Sequence, residues 1–242
     1  MVMKKVVAAV GLLCLAGLTK ADVMADWTFD TSAPNGYGTA IGGITAENGI
    51  NADTSTASGF HASSATLWSS PQGNCGTLHS FSADHWAVAD YFQFKTTTLG
   101  YKDIVVTFEQ TSSSTGPSAF ELAYSTDGKT YFDIAGDTYT VGTTDWSSSS
   151  GTQKATILDF DLSSIAAVNN DSAVYFQLID ASTAAAGGGS VKTTGTSRVD
   201  DFEITGIAAV PEPATCGVIS AISLLGACGL HEWRQHRGRE KI

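Results

Sequence analysis

Bulky apolar residues recur at every second position in several short stretches of this chain. Positions 86, 88, 92 and 94 carry Trp, Val, Phe and Phe, with small or polar residues between them. Ile104, Val106 and Phe108 repeat the pattern, as do Phe120, Leu122 and Tyr124, and near the end Phe202 and Ile204. A strand with one buried face requires this period of two. Trp27 and Phe29 predict a short first strand, and residues 155–160 and 174–179 two later ones. Asp127-Gly128, set between alternating residues on either side, predicts a hairpin, because that dipeptide supplies the positive φ angles of a tight primed turn. Residues 31–80, rich in Gly, Ser, Ala, Thr and Asn, predict irregular loops with one or two short strands. Residues 142–153 and 181–196 predict loops, and 162–170 leaves room for one helical turn. Seven or more short strands without a long amphipathic helix predict an all-β fold, an antiparallel β-sandwich of the jelly-roll kind.

The two ends break this pattern. Lys4 and Lys5, an apolar run over 6–18 and small residues at 19 and 21 or at 23 and 25 predict a signal peptide over 1–25. Cys14 follows Gly11-Leu12-Leu13 and lacks the small preceding residue that a lipidated cysteine needs. At the other end, Val210, Pro211, Glu212 and Pro213 precede an apolar run over 214–230. Two prolines fix φ and remove two backbone donors, so a helix begins at or after Pro213. Seventeen residues span roughly 26 Å as a helix, close to the ~30 Å that a single membrane crossing needs. Arg234, Arg237, Arg239 and Lys241 follow in a basic tail over 231–242, which the positive-inside rule keeps cytoplasmic. The predicted division is therefore a leader over 1–25, a β-sandwich ectodomain over 26–208 and an anchor segment over 209–242.

The order Pro211-Glu212-Pro213, short apolar helix, arginine-bearing end resembles the PEP-CTERM sorting signal of bacterial exported proteins. That resemblance implies processing by a membrane-embedded exosortase, with the membrane as a transient or single-pass anchor, and delivery to the cell surface or extracellular matrix. The Asp127-Gly128 turn also resembles part of the Asp-box hairpin of sialidases. Without the residue that separates Asp from Gly in that motif, it implies a hairpin and no sialidase activity. Residues 91–206 resemble in layout the β-sandwich domains common among PEP-CTERM proteins and, distantly, carbohydrate-binding modules.

Charge narrows the partners. Residues 22–209 hold 21 acidic and 6 basic side chains, a net of −15 against −11 for the whole chain. Nucleic acid is excluded as a partner, since phosphate binding needs the opposite sign. Cys75 is the only cysteine between the two ends, so no intrachain disulfide forms there; it is expected either as a buried small side chain or as a free thiol able to pair between chains.

Candidate chemistry is sparse. A sandwich brings its first and last strands together, so Asp26 or Asp30 is expected near Asp200, and oxygen-rich groups of this kind hold Ca²⁺. The likeness to jelly-roll carbohydrate modules points to Asp200 as the calcium-bearing position. Period two also places Arg198 beside Asp200, so an ion pair competes with that reading. Trp146 with Asp145, and Trp68, lie in hydroxyl-rich surroundings. An exposed indole beside a carboxylate suits stacking on a sugar, while an indole folded inward caps the core. His79 and His85 lack a third metal ligand at useful spacing. No Gly-x-Ser-x-Gly, His-Glu-x-x-His or paired-cysteine motif occurs, so no catalytic residue is assigned. The expected protein is an exported, non-enzymatic envelope or matrix component associated with polysaccharide. The alternative is a carbohydrate-active enzyme, a glycoside hydrolase or lyase, on the same fold.

Overall fold

The computed structural model describes residues 20–31, 34–74, 77–143, 146 and 156–209. Thirteen strands follow one another: β1 (Ala21–Trp27), β2 (Gly36–Tyr37), β3 (Ala40–Thr45), β4 (Thr56–Phe60), β5 (Leu67–Ser69), β6 (Phe81–Ala83), β7 (Tyr91–Thr96), β8 (Tyr101–Ser112), β9 (Ala119–Ser125), β10 (Phe132–Thr140), β11 (Thr156–Asp161), β12 (Val174–Asp180) and β13 (Ser197–Ala208). They form two sheets. A seven-stranded sheet runs β11-β8-β13-β6-β5-β2, with β1 also paired to β13, and a six-stranded sheet runs β10-β9-β12-β7-β4-β3. The fold is an antiparallel two-sheet sandwich.

Alternation sets which side chains fill the space between the sheets. Phe92 and Phe94 of β7, Phe120 and Leu122 of β9, and Phe176 and Leu178 of β12 point in from the six-stranded sheet. Ile104, Val106, Phe108, Phe202 and Ile204 meet them from the other. The rings of Phe94 and Phe202 stack across the gap with centroids 3.5 Å apart and planes 3° from parallel, and Trp27 packs edge-on against both. Burying each such ring contributes roughly 1.5–3 kcal/mol, and this burial stabilises the sandwich.

Several boundaries differ from the sequence expectation. Residues 31–80 hold four strands and a 3₁₀ turn at Ala52–Thr54. Glycines and serines there conceal the alternation, because Gly59 and Gly42 leave no side chain to mark a face. Trp86 and Val88 precede β7 instead of belonging to it. His85 and Ala89 take positive φ, and the Asp90 carboxylate accepts the Ala87 N–H at 2.8 Å, closing a turn where a strand was expected. At the Asp127-Gly128 turn only Gly128 has positive φ. Asp127 instead accepts the backbone N–H groups of Lys129 and Thr130, both at 2.8 Å, so the connection is longer than a two-residue primed turn. The expected helical turn is present as a 3₁₀ turn at Ala166–Val168.

β1 begins at Ala21, inside the stretch assigned to the leader, and pairs with β13 from Ala21↔Ile207 to Trp27↔Phe202. Met24 and Ala25 are fully buried. Residues 1–19, Cys75, Asp145, the 210–213 motif, the apolar run over 214–230 and the basic tail lie outside the described residues. Among the described residues no helix is long and apolar enough to cross a membrane.

Candidate functional site

The outward face of the six-stranded sheet carries a pattern of its own. The tripeptide Tyr-Phe-Gln occurs twice, at 91–93 on β7 and at 175–177 on β12. These strands are antiparallel neighbours, and their register sets Gln93 directly opposite Gln177. Both phenylalanines turn into the core, so both glutamines and both tyrosines belong to the outer face. Antiparallel pairing then places Tyr91 and Tyr175 on opposite sides of the glutamine pair, related by a local two-fold. Four residues along the strand direction separate the rings, roughly 13 Å at the usual rise.

Neighbouring strands extend the arrangement. Ser58 lies opposite Gln93 and Phe60 opposite Tyr91. Phe60 is 43 % exposed, and its ring packs on Tyr91 with centroids 5.8 Å apart. The Lys95 ammonium sits 5.5 Å from the Tyr175 ring centroid, a cation–π distance. From the β9–β10 turn Tyr131 reaches over the sheet and donates to Gln93 Oε1 at 2.6 Å; Gln177 Nε2 donates to the same oxygen at 2.9 Å. Gln93 Nε2 in turn donates to Ser58 Oγ at 3.3 Å. The turn closes over Tyr175 because Gly128 has no side chain: a Cβ there would stand 3.0 Å from the Tyr175 Cζ. Both amides are therefore held in fixed orientation before any ligand arrives.

Electrostatics keep this face phenolic. Burial, and then the neighbouring Tyr91, Tyr175 and Asp127, push Tyr131 up to about 12, and burial raises Tyr91 against the opposing contact with Gln177. The Tyr131 and Tyr91 hydroxyls stay protonated across the physiological range. Rings, amides and hydroxyls in such a row suit a ligand with apolar ring faces and many hydroxyl groups.

The residues singled out from the sequence lie elsewhere. Trp68 belongs to β5 and is fully buried, its Nε1 donating to the Gly38 carbonyl at 2.9 Å and its ring packed on His61 and Phe81. It is a core side chain and offers no face to a sugar. Trp146 is 5 % exposed and likewise offers no open face. Asp200 is fully buried: Oδ2 accepts the Asn74 N–H at 2.8 Å and the Thr77 hydroxyl at 2.7 Å, and Oδ1 accepts the Asp201 N–H at 3.1 Å. Burial pushes its carboxyl up to about 8.

Asp30 Oδ1 accepts the Leu78 N–H at 2.9 Å, so Asp30 holds Leu78 while Asp200 holds Asn74 and Thr77. Arg198 Nη1 donates to the Gln72 carbonyl at 3.1 Å. Asp201 takes φ +46°, which shifts the phase so that Val199 and Phe202 both point inward. Asp26 faces Glu203 across the β1–β13 ladder, and with Glu109 and Asp201 these acids line an acidic hollow of about 340 Å³. Among the described residues no three His, Cys, Asp or Glu side chains are grouped to hold a metal ion. His79 Nδ1 lies 3.2 Å from the Ser70 carbonyl and His85 Nδ1 2.7 Å from Asp84 Oδ1, in separate contacts.

No family model matches the chain, and no curated protein matches it. Solved structures similar to it are carbohydrate-binding modules and adhesin domains. One is TmCBM61 in complex with β-1,4-galactotriose, at 10 % identity and TM-score 0.35, covering 62 % of this chain and 86 % of that one. A cleaved adhesin domain of Lys-gingipain from Porphyromonas gingivalis aligns at 10 % identity and TM-score 0.38, covering 74 % and 95 % respectively. A family 29 carbohydrate-binding module complexed with mannohexaose aligns at 14 % identity and TM-score 0.26, covering 77 % and 92 %.

Proposed function

We propose that this protein is a non-catalytic glycan-binding β-sandwich that holds an extended polysaccharide on the outer face of its six-stranded sheet. The observation carrying this reading is the paired Tyr-Phe-Gln lattice, with Tyr91 and Tyr175 flanking the Gln93–Gln177 pair. A single sugar ring is too short to touch both tyrosines; a chain running along the strands contacts both. The amides are already oriented, which lowers the ordering cost of binding. No side chain in the lattice is an activated nucleophile or an acid–base pair, and this favours retention of the chain over its cleavage.

The sorting reading joins this one naturally. An exported sandwich released or anchored by exosortase processing at Val210–Pro213 would place the sheet face in the envelope or matrix, where polysaccharide is abundant. Structural calcium at Asp30 and Asp200 is not needed by this reading, because both carboxylates already accept backbone N–H groups.

A glycan array probed with the full-length protein, followed by titration of the best oligosaccharide, tests the proposal. Gln93→Ala is expected to weaken binding about tenfold, the equivalent of roughly 1.4 kcal/mol. Full retention of affinity by Gln93→Ala and Tyr91→Ala, or turnover of the bound oligosaccharide, overturns it.

A further inference from the structure

A second feature lies at the end of the sandwich where β4 and β12 finish and β7 begins. On the core side of the six-stranded sheet, His61 follows β4, Asp90 precedes β7 and Asp180 ends β12. The pleat puts all three side chains on the inward face, one beside the next, where the hydrophobic core gives way to loops. The backbone locks them together: Ala89 N donates to the Asp180 carbonyl at 2.9 Å, and Asp180 N donates to the Asp90 carbonyl at 2.8 Å.

Charge here is left uncompensated. Asp90 is satisfied, accepting the Ala62 N–H at 2.7 Å and the Ala87 N–H at 2.8 Å. Asp180 is 1 % exposed; Oδ1 accepts the Ser182 N–H at 3.1 Å, and Oδ2 has no hydrogen-bond partner among the described residues. His61 Nδ1 stands 3.6 Å from Asp90 Oδ2, yet burial pushes the imidazole down to about 4, so it stays neutral at pH 7 and supplies no countercharge. An unpaired carboxylate oxygen in such a place is costly. Burial and the charge of Asp90 together push Asp180 up to about 6, still ionised at neutral pH.

Asp180 also lines a pocket of about 320 Å³, walled by Trp86, Val88 and Val191 and rimmed by Ser182, Thr183 and Ser190. That volume lies at the small end of ligand sites and admits one ring-sized molecule. No lysine or arginine lines it. A bare metal ion fits poorly, because one carboxylate with a spare oxygen among valines and an indole is too few ligands for a hard cation. A ring with an apolar face, several hydroxyls and one ammonium group matches each part of the lining.

We propose that this pocket binds a protonated amino sugar, with its ammonium on Asp180, its hydroxyls on Ser182, Thr183 and Ser190, and its ring against Trp86. The site is separate from the tyrosine–glutamine face and does not depend on it.

Titration of the full-length protein at pH 7 with glucosamine, N-acetylglucosamine, glucose and calcium chloride, followed by the Trp86 indole resonance and by calorimetry, tests the assignment. Glucosamine is expected to bind at least tenfold more tightly than either neutral sugar. Asp180→Asn keeps the acceptor for the Ser182 N–H and is expected to lower glucosamine affinity at least tenfold. Val191→Trp fills the pocket from its wall and is expected to abolish binding, which keeps the test decisive should Asp180→Asn fail to fold. Leu99→Ala, in the exposed connection between β7 and β8, is expected to leave glucosamine affinity within twofold of the unaltered protein. Equal binding of glucosamine and N-acetylglucosamine, binding of calcium in place of the amine, indifference to both pocket variants, or no binding at all overturns the proposal.

Discussion

Gly59 lies flat against the indole of Trp68: a Cβ on Gly59 would fall 2.5 Å from Cη2 and Cζ3 of that ring. The two residues come from different sheets, β4 and β5, and their contact sets how closely the sheets approach at this end. Gly59→Ala therefore forces one sheet or the ring to move. It is expected to destabilise the protein by about 1–3 kcal/mol, as overpacking of a tight core does. Trp68→Ala opens a cavity in its place and is expected to cost about 3–5 kcal/mol. Urea denaturation followed by tryptophan fluorescence checks both, and a loss below ~0.5 kcal/mol for either would show that the contact is loose.

Stability is expected to fall as pH rises from about 5 to about 8.5. Asp200 is pushed up to about 8 from an ordinary 3.8, and Asp201 and Asp180 up to about 6, chiefly by burial. Folding raises these values, so the folded state holds more protons than the unfolded one across the interval. Their contribution is full below pH 3.8 and is lost as pH climbs through 6 and then 8. His61, pushed down to about 4 from 6.5, acts in the opposite sense between those two values and only partly offsets the carboxyls. Thermal unfolding against pH measures the slope. Asp200→Asn is expected to flatten its upper part, between about 6.5 and 8.5; an unchanged slope would mean that Asp200 titrates normally.

On the sheet face, affinity is expected to rise steeply with oligosaccharide length until the ligand spans both tyrosines and then to level off. Tyr91→Ala and Tyr175→Ala each remove one stacking surface and are expected to cost about 1–2 kcal/mol with long ligands and less with short ones. Calorimetric titration with a length series distinguishes this from a single-ring site, for which length has no effect.

If the leader is removed, the cut is expected after Ala21 and not after Ala25. A cut at the later position would strip five of the seven residues of β1, among them fully buried Met24 and Ala25. N-terminal sequencing of exported material is expected to begin at Asp22. A mature chain beginning at Asp26 would require β13 to lose most of its β1 partner, and such a protein should melt well below one that retains Met24.

Much of the sandwich was legible in the sequence because alternation reports burial directly: Phe92 and Phe94, Phe120 and Leu122, and Phe176 and Leu178 all lie where period two puts them. Residues 31–80 were not legible, since glycines and serines mark neither face. The candidate site was concealed for a different reason. Tyr91, Gln93, Lys95, Tyr175 and Gln177 were the intervening positions of strands recognised only by their apolar members. The signal was the repeated Tyr-Phe-Gln, which has no meaning until the register sets one copy against the other. For Trp68 the hydroxyl-rich flanks left stacking and inward capping both open, and its place as the inward residue of a three-residue strand decides for the core.

The first and last strands lie side by side, with Ala21 opposite Ile207. β7 runs from Tyr91 to Thr96; beyond it the Thr98 carbonyl accepts the Tyr101 N–H, and Tyr101 in turn packs near Gly206. Entry to the sandwich and exit from it therefore share one pole, and the Asp180 pocket occupies the other. Whatever enters the Asp180 pocket therefore meets the sandwich at the end remote from Ala21 and Ile207, while the tyrosine-bearing flank runs between the two ends.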